Sequence, residues 1–410
     1  MIPAREPDQT RKFQCTMLGE NSNKWYQLEW WKSEAVVRIT FARVGQSCAK
    51  PAIKLGISER KFDKLIADRL KKRTDGTQYF EIKLGTEVLN VITPMEDTKV
   101  TRRILQIFKA ANEDISKYLS VNVSDLSLEQ LQLGKTYLDD VAGFYTKYKA
   151  TRDKKVLHEL ISATEKYYNS IPTKLPHKIN PEKVSVTLGD SLSEQEDRIQ
   201  QLMAAVTGYK SLETGASITE QLGSSLTEVD DTKFAELSKF VLDTRKHSGY
   251  SSLKIKEIYE VVIADERQAY ESNKVGNPKM LFHGSASKNF RHILRTGLII
   301  PSYAANGSMY GRGAYFADVS TKSLNYCSSN SYNDRERYLL PADVKLGNMY
   351  HTSSTLSWNS IPSSHKQYDS VFAGSLKPMS GSYGGSLMFN EYIVYNTSQQ
   401  TIKYLVVVEV

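Results

Sequence analysis

The hydrophobic period of this chain changes twice along its length, and that change constrains the fold more than any other feature. Over residues 11–90, short aromatic and β-branched runs separated by Gly, Asn and Ser predict strands at 13–18, 25–31 and 35–41. A helix is expected at about 58–72, where Phe62, Leu65, Ile66 and Leu70 recur at helical spacing. Asp75-Gly76 then turns the chain into a strand over 79–84. From 101 to 225 the period is helical. Ile104, Leu105, Ile107, Phe108, Ala111, Ile115 and Leu119 make one stripe, and Leu128, Leu131, Tyr137, Leu138, Val141 and Tyr145 a second. Val156, Leu157, Leu160, Ile161 and Tyr167 make a third, which stops at Ile171-Pro172. Ser193 with Glu196 predicts a capping box opening a fourth helix, with Ile199, Leu202, Met203 and Val206 inside. The Thr93-Pro94 turn links the first segment to this one, and the Gly-, Ser- and Thr-rich stretch 212–231 predicts the loop leaving it. After one more helix, strands return at 253–263, 280–283, 313–317, 338–344, 388–395 and 404–410. The fold class expected is α+β and multidomain: a small antiparallel sheet with one helix, an α-helical bundle, and a β-rich C-terminal part.

Length agrees with that division. At about 150 residues per domain, 410 residues imply two or three domains. The 40% hydrophobic and 24% charged content exclude wholesale disorder. Cys15, Cys48 and Cys327 are too few and scattered for a disulfide framework, and no Cys/His set has zinc-finger spacing. The polar N-terminus lacks a signal core, and apolar runs such as 405–408 fall far short of the roughly 20 residues of a membrane span. A soluble intracellular protein is expected, with no metal and no membrane partner.

Net charge is +8, and residues 1–90 hold 17 Lys/Arg against 11 Asp/Glu. A basic module on a nearly neutral remainder suggests an anionic partner, nucleic acid first; a solvated lysine-rich face fits the same composition. The run Arg69-Leu-Lys-Lys-Arg73 fits either a nuclear import signal or the basic face of the 58–72 helix, which is the reading the surrounding apolar spacing favours.

Common catalytic motifs are missing. There is no Walker A loop or G-x-S-x-G elbow, and His158-Glu159 lacks the second zincin histidine. His177, His247, His292, His351 and His365 have no partners at ligand spacing and read as core or surface histidines. What stands out is an ordered set over residues 283–395: His283-Gly284-Ser285 at a strand end, Tyr310-Gly-Arg-Gly-Ala-Tyr315-Phe-Ala-Asp318, Lys322-Ser323-Leu-Asn-Tyr326-Cys327, and Asn390-Glu391-Tyr-Ile-Val-Tyr395. Alone, Tyr315 and Tyr326 would read as core aromatics and Glu391 as a solvent-facing strand residue. Ile393 and Val394 beside Glu391 instead suggest a buried strand, where an unpaired carboxylate is costly unless satisfied or functional.

From about residue 240 to the C-terminus, these motifs resemble the catalytic domain of poly(ADP-ribose) polymerases, including Leu346-Gly-Asn-Met-Tyr350 and the last strand. Leu126-Ser-Leu-Glu-Gln-Leu131 and Tyr168-Asn-Ser-Ile-Pro172 resemble that family's regulatory helical domain, and residues 11–90, more distantly, a WGR domain. The resemblance implies a WGR-like nucleic-acid-binding domain at 1–98, a regulatory helical domain at 99–231 and an ADP-ribosyltransferase domain at 232–410. It implies a nuclear location in a eukaryote, cytoplasmic otherwise, and a monomer that binds DNA ends or nicks and modifies itself and other proteins.

The implied reaction cleaves the nicotinamide–ribose bond of the co-substrate NAD+ through an oxocarbenium-like transition state. In the family's pattern Gly284 presents its backbone to the carboxamide, and Ser323 adds a hydroxyl. Tyr326 stacks on the nicotinamide, with Tyr315 closing the other face. His283 and Ser285 hold the adenosine-side ribose. Glu391 bonds the nicotinamide-ribose 2′-OH, opposes the developing cation and orients or activates the acceptor hydroxyl. Lys322 assists near the acceptor, and Asn289 and Tyr310 line the adenine and acceptor ends. Phe41, Arg43, Arg69, Lys71, Lys72 and Arg73 would contact nucleic acid.

The chain departs from the pattern in three places. Phe41-Ala42-Arg43 stands where the signature has Trp-Gly-Arg, Ile299 follows Gly297-Leu298 where a basic residue is frequent, and the zinc fingers of the largest members are missing. A mono-ADP-ribosyltransferase with the same site, and a catalytically silent nucleic-acid-binding scaffold, are the alternatives.

Overall fold

The computed structural model describes residues 2–44, 46–73, 79–82, 98–213, 216–246, 250, 252–303, 308–327, 335–374 and 388–410. The expected turns Asp75-Gly76 and Thr93-Pro94, the end of the 79–84 strand and His247 lie outside them. The chain is mixed α and β with largely antiparallel sheets. It forms two compact units, Met1–Asn90 with Ile115–Lys210, and Val91–Asp114 with Ser211–Val410.

In the first unit, five antiparallel strands run in the order β4-β3-β2-β1-β5: β1 (Gln9–Met17), β2 (Ser22–Trp31), β3 (Val36–Arg43), β4 (Ala52–Leu55) and β5 (Phe80–Ile82). Alternation puts Phe13, Leu28, Trp30, Val37 and Ile39 on one buried face. Helix α1 (Glu59–Leu70) covers that face with Phe62 and Ile66, and Phe62 stacks on Trp30 at 4.7 Å. The helix is shorter than its apolar spacing predicts. Lys71 is already extended (φ −66°, ψ 130°), so Lys71, Lys72 and Arg73 lie past the helix end rather than on its basic face.

Helix α2 (Lys99–Tyr118) crosses the division between units at Asp114. It buries Ile104, Ile107, Phe108, Ala111 and Ile115, while Leu105 falls off that stripe and is exposed. Helix α3 (Leu128–Thr151) begins where Ser127 Oγ accepts the Gln130 N–H, and α4 (Lys154–Ser170) where the Asp153 carboxylate accepts two backbone N–H groups. Gly134 lets α3 lie close to the end of α4; a Cβ there would sit 2.6 Å from Ile171 Cδ1. Asn180 and Pro181 start an unforeseen helix, α5 (Pro181–Asp190). The next, α6 (Leu192–Glu213), already includes Ser193, so the expected Ser193–Glu196 capping box does not form. Sheet and helices meet through buried polar groups: Asn169 on α4 accepts the Thr16 N–H at 2.7 Å and donates to its carbonyl at 3.2 Å, in the manner of one more strand residue.

In the second unit, the stretch expected as a loop at 212–231 contains α7 (Ile218–Leu222) and β6 (Ser225–Glu228). A Ser217–Glu220 capping box opens that helix and left-handed Gly223 (φ 82°) closes it, which outweighs the polar composition. Helix α8 (Asp231–Asp243) leads to β7 (Lys254–Val262), α9 (Ala264–Ser272), β8 (Pro278–Gly284), α10 (Phe290–Thr296), β9 (Ala314–Phe316), α11 (Ser320–Leu324), β10 (Glu336–Lys345), β11 (Met349–Thr352), β12 (Ser370–Ala373), β13 (Glu391–Val394), β14 (Gln400–Ile402) and β15 (Tyr404–Glu409). One sheet runs β14-β10-β15-β7-β6, with β8 also on β10; the other runs β11-β12-β13-β9, its β11–β12 pair parallel. A bridge between Phe282 and Ala317 ties β8 to the segment just beyond β9. Both faces of the first sheet are covered, so Leu405–Val408 reads as a continuous apolar run. Leu405 and Val407 pack with Phe290, Ile293 and Leu294, and Val406 and Val408 with Leu237 and Val241. Among the described residues no helix is long and apolar enough to cross a membrane.

One buried charge cluster anchors α2 to the first sheet of this unit. Arg103, 4% exposed, donates to Glu257 at 2.7 Å and Glu336 at 3.0 Å. Burial pushes the Glu257 carboxyl up, but Arg103 outweighs it and holds it below the usual range. Removing one partner of such a cluster leaves uncompensated charge, so Arg103→Ala is expected to cost about 3–5 kcal/mol, read as a lower urea midpoint. Because the Glu257 value is depressed, its share of the stability is present above the unfolded value of about 4.3 and is lost as pH falls through the folded one. A variant whose midpoint and acid sensitivity match the wild type would count against the assignment.

Candidate active site

Four elements bring the C-terminal motifs together. Register against β10 sets His283 opposite Leu340 and Gly284 opposite Leu339 at the end of β8. His283 Nδ1 lies 2.9 Å from the Tyr315 carbonyl oxygen, which can only accept, so the proton sits on Nδ1. Burial lowers the His283 pKa, and the carbonyl bond only partly opposes it, so the ring is neutral at pH 7.

Gly284 is required by space. A Cβ there would lie 1.9 Å from the Ser323 carbonyl oxygen and 2.9 Å from Cys327 Sγ. Ser323, buried in α11, donates its hydroxyl to the Phe282 carbonyl at 2.9 Å, which docks α11 on β8. Ser285 Oγ accepts from Asn289 at 3.0 Å.

Tyr315, on β9, is held at its hydroxyl: it donates to the Gly311 carbonyl at 2.7 Å and accepts the Tyr310 N–H at 2.9 Å. Its phenol is pushed well up, chiefly by burial, with the Glu391 charge adding to the effect. Gly311 (φ 85°) must be glycine both for its backbone and because a Cβ would strike the Trp358 carbonyl at 1.7 Å. Tyr310 is buried, and its carbonyl accepts the Tyr395 hydroxyl.

Glu391 opens β13 and is 5% exposed. Its Oε1 meets Lys322 Nζ at 2.6 Å; Oε2 is buried with no hydrogen-bond partner among the described residues. Burial lowers the Lys322 pKa, but Glu391 outweighs it and the value ends raised. Lys322 also reaches the Tyr326 hydroxyl at 3.2 Å, and the Tyr326 ring is half exposed. The arrangement offers a carboxylate with one oxygen on an ammonium and the other without a hydrogen-bond partner among the described residues, a half-exposed aromatic ring, a neutral imidazole and a backbone without a Cβ. That set supplies a hydrogen-bond acceptor, an aromatic surface and a negative charge that can oppose positive charge beside it. Among the described residues no three His, Cys, Asp or Glu side chains gather where they could hold a metal ion.

Sequence reasoning gave no role to Asp318, Tyr392 or Lys279, although Asp318 lies within a quoted motif. In the structure Asp318 Oδ2 accepts from Asn390 and from the Tyr392 hydroxyl. Only register across β9 and β13 brings these together, and no spacing along the chain carries it. Ile299, half-buried, follows Leu298 next to Gly297, where a Cβ would meet Glu266 at 2.4 Å.

The residues expected to meet nucleic acid lie in the first unit. Phe41 is 53% exposed on β3 and stacks on Tyr26 at 6.1 Å. Arg69 lies 3.6 Å from the Tyr26 ring centroid. Arg43 donates to the Asn21 carbonyl at 2.9 Å and the His177 carbonyl at 2.6 Å, so protein oxygens already occupy part of its guanidinium. Lys71, Lys72 and Arg73 are exposed.

Residues 231–410 match the poly(ADP-ribose) polymerase catalytic domain. A poly [ADP-ribose] polymerase of Drosophila melanogaster is 25% identical over 95% of this chain and 45% of its own length. Poly [ADP-ribose] polymerase 2 of Arabidopsis thaliana is 28% identical over 72% of this chain and 53% of its own, and poly [ADP-ribose] polymerase 1 of Gallus gallus 32% over 45% and 21%. The chain thus spans about half or less of the length of these relatives. With the match covering every residue of the four-element cluster, residues 231–410 belong to the poly(ADP-ribose) polymerase catalytic-domain family.

Proposed function

We propose that this chain is a DNA-dependent poly(ADP-ribose) polymerase, which transfers ADP-ribose from NAD+ to itself and to other proteins and acts in the DNA damage response. The observation that carries the reading is Glu391: a buried carboxylate with one oxygen on Lys322 of α11, the helix that also holds Ser323, and the other without a hydrogen-bond partner among the described residues.

Gly284 and Ser323 bind the carboxamide, Tyr326 and Tyr315 enclose the nicotinamide ring, and His283, Ser285 and Asn289 hold the adenosine side. The glycosidic C–N bond breaks with its electron pair going to nicotinamide, which leaves neutral and needs no general acid. Glu391 Oε2 bonds the ribose 2′-OH, and its charge opposes the cation at the anomeric carbon. The acceptor oxygen then bonds that carbon and its proton passes to Glu391. Tyr310 and Lys322 border the acceptor side.

Residues 1–98 serve as the WGR-like DNA-binding domain, 99–231 as the regulatory helical domain and 232–410 as the transferase. Phe41 stacks on an exposed base or sugar at a DNA end, Arg43, Arg69, Lys71, Lys72 and Arg73 supply positive charge, and the helical domain withholds NAD+ until DNA is bound. In a eukaryotic host the protein works in the nucleus, as a monomer.

NAD+ consumption by the purified chain tests this, with and without nicked or blunt-ended DNA. A large DNA-dependent rise and a long smear of modified protein on a gel are expected. A discrete shift would favour a mono-ADP-ribosyltransferase. Equal turnover without DNA would remove the switch, and no turnover in either condition would favour a silent scaffold.

A further inference from the structure

We propose that Asp318 is a positioning residue that holds Glu391 in place through hydrogen bonds to the residues on either side of it. The inference rests on the transferase reading of Glu391.

Glu391 is the first residue of β13, where a strand has least support. On one side it faces Ala373 of β12, but pairing with β9 begins one residue later, at Tyr392 opposite Phe316. Successive side chains alternate across a sheet, so Asn390 and Tyr392 project away from the face that carries Glu391. Asp318 grips both: its Oδ2 accepts from Asn390 Nδ2 at 2.8 Å and from the Tyr392 hydroxyl at 3.0 Å. One carboxylate oxygen therefore continues the β9 side of the ladder past its last backbone pair and secures the chain on both flanks of Glu391.

Asp318 is itself secured. Ala317, just before it, exchanges both backbone hydrogen bonds with Phe282, at 2.8 and 3.0 Å, next to His283 and Gly284. Lys279, on the same strand as His283, donates to the Tyr392 hydroxyl at 2.9 Å, lies 3.9 Å from Asp318 Oδ2 and sits over the Tyr392 ring at 4.6 Å. Its charge offsets that of the partly buried carboxylate. The strand that carries the adenosine-side residues and the strand that carries Glu391 are thus referenced to one another through Asp318, on the face opposite the reaction.

The test uses the full chain with its activating DNA. Asp318→Ala, Asp318→Asn and Tyr392→Phe are assayed for NAD+ consumption, each also in a Glu391→Gln background. Displacing a reacting group by a fraction of an ångström to an ångström costs up to about 100-fold, so Asp318→Ala should lower kcat by about 10- to 100-fold with KM for NAD+ within about twofold. Asp318→Asn, which keeps one acceptor oxygen, and Tyr392→Phe, which removes one of two bonds, should fall between. In the Glu391→Gln background the Asp318→Ala loss should shrink below about twofold, because residues that act through one another are not additive. Equal loss in both backgrounds, a rise in KM with kcat unchanged, or wild-type turnover in Asp318→Ala would overturn the proposal. Wild-type turnover in Glu391→Gln alone would instead overturn the transferase reading on which it rests.

Discussion

Glu391→Gln is expected to lower NAD+ consumption by about 10²–10³-fold, the usual cost of removing a preorganised group that opposes charge in the transition state. The amide keeps the shape of the carboxylate but not its charge. Two effects then combine. The developing cation at the ribose loses its counter-charge, and Lys322, largely buried, loses the carboxylate 2.6 Å away. Glu391 raises the Lys322 pKa against the opposing pull of burial. A group whose folded value is raised contributes stability below its unfolded value, about 10.4 for lysine, and loses it as pH rises through the folded value. The wild type should therefore lose stability at alkaline pH in a way that Glu391→Gln does not. Parallel kcat measurements and denaturation midpoints at pH 7 and pH 11 check both parts. Retained turnover would remove Glu391 from the chemistry, and an unchanged alkaline limb would remove the ion pair from the stability.

Gly284→Ala should be among the most damaging single methyl groups in the site. The added Cβ would lie 1.9 Å from the Ser323 carbonyl oxygen, 2.7 Å from its carbon and 2.9 Å from Cys327 Sγ. Neither side can give way cheaply. Gly284 is paired to Leu339 in the sheet, and Ser323 is tied to Phe282 through its hydroxyl. Overpacking of this kind costs about 1–3 kcal/mol in stability. The greater effect is on function, because α11 must shift and it carries Ser323 and Lys322 and leads into Tyr326. Loss of detectable binding of a nicotinamide analogue by calorimetry, with NAD+ turnover down about 100-fold or more, is the expected result. An alanine variant that binds and turns over as the wild type does would mean that α11 moves freely against β8.

The C-terminal motifs were legible because each is a short run whose residue types serve a local purpose. His283-Gly284-Ser285 ends a strand, and Gly311 and Gly313 permit a backbone that few other residues adopt or fit. Helices with a clear apolar stripe were legible too: α2, α3 and α4 lie where their spacing predicts. Capping and short pairing were harder. The Ser217–Glu220 box was overlooked in a polar stretch, while the Ser193–Glu196 pair matched the same pattern inside a helix already under way. Strands β11, β12 and β14 are three or four residues long, too short for alternation to register.

The sequence by itself determined the α+β class, the order of the longer elements and the residue types of the candidate site, since periodicity, caps and glycine requirements act over a few neighbouring residues. Tertiary structure alone decided which atoms meet. The Lys322–Glu391 ion pair joins residues 69 positions apart, and Asp318 reaches Asn390 and Tyr392 across 72 and 74. Arg103 reaches Glu257 and Glu336 across 154 and 233. Such contacts depend on strand register and on which face is buried. A shift of one residue in register would turn Glu391 to the opposite side of its sheet without changing a single residue of the motif.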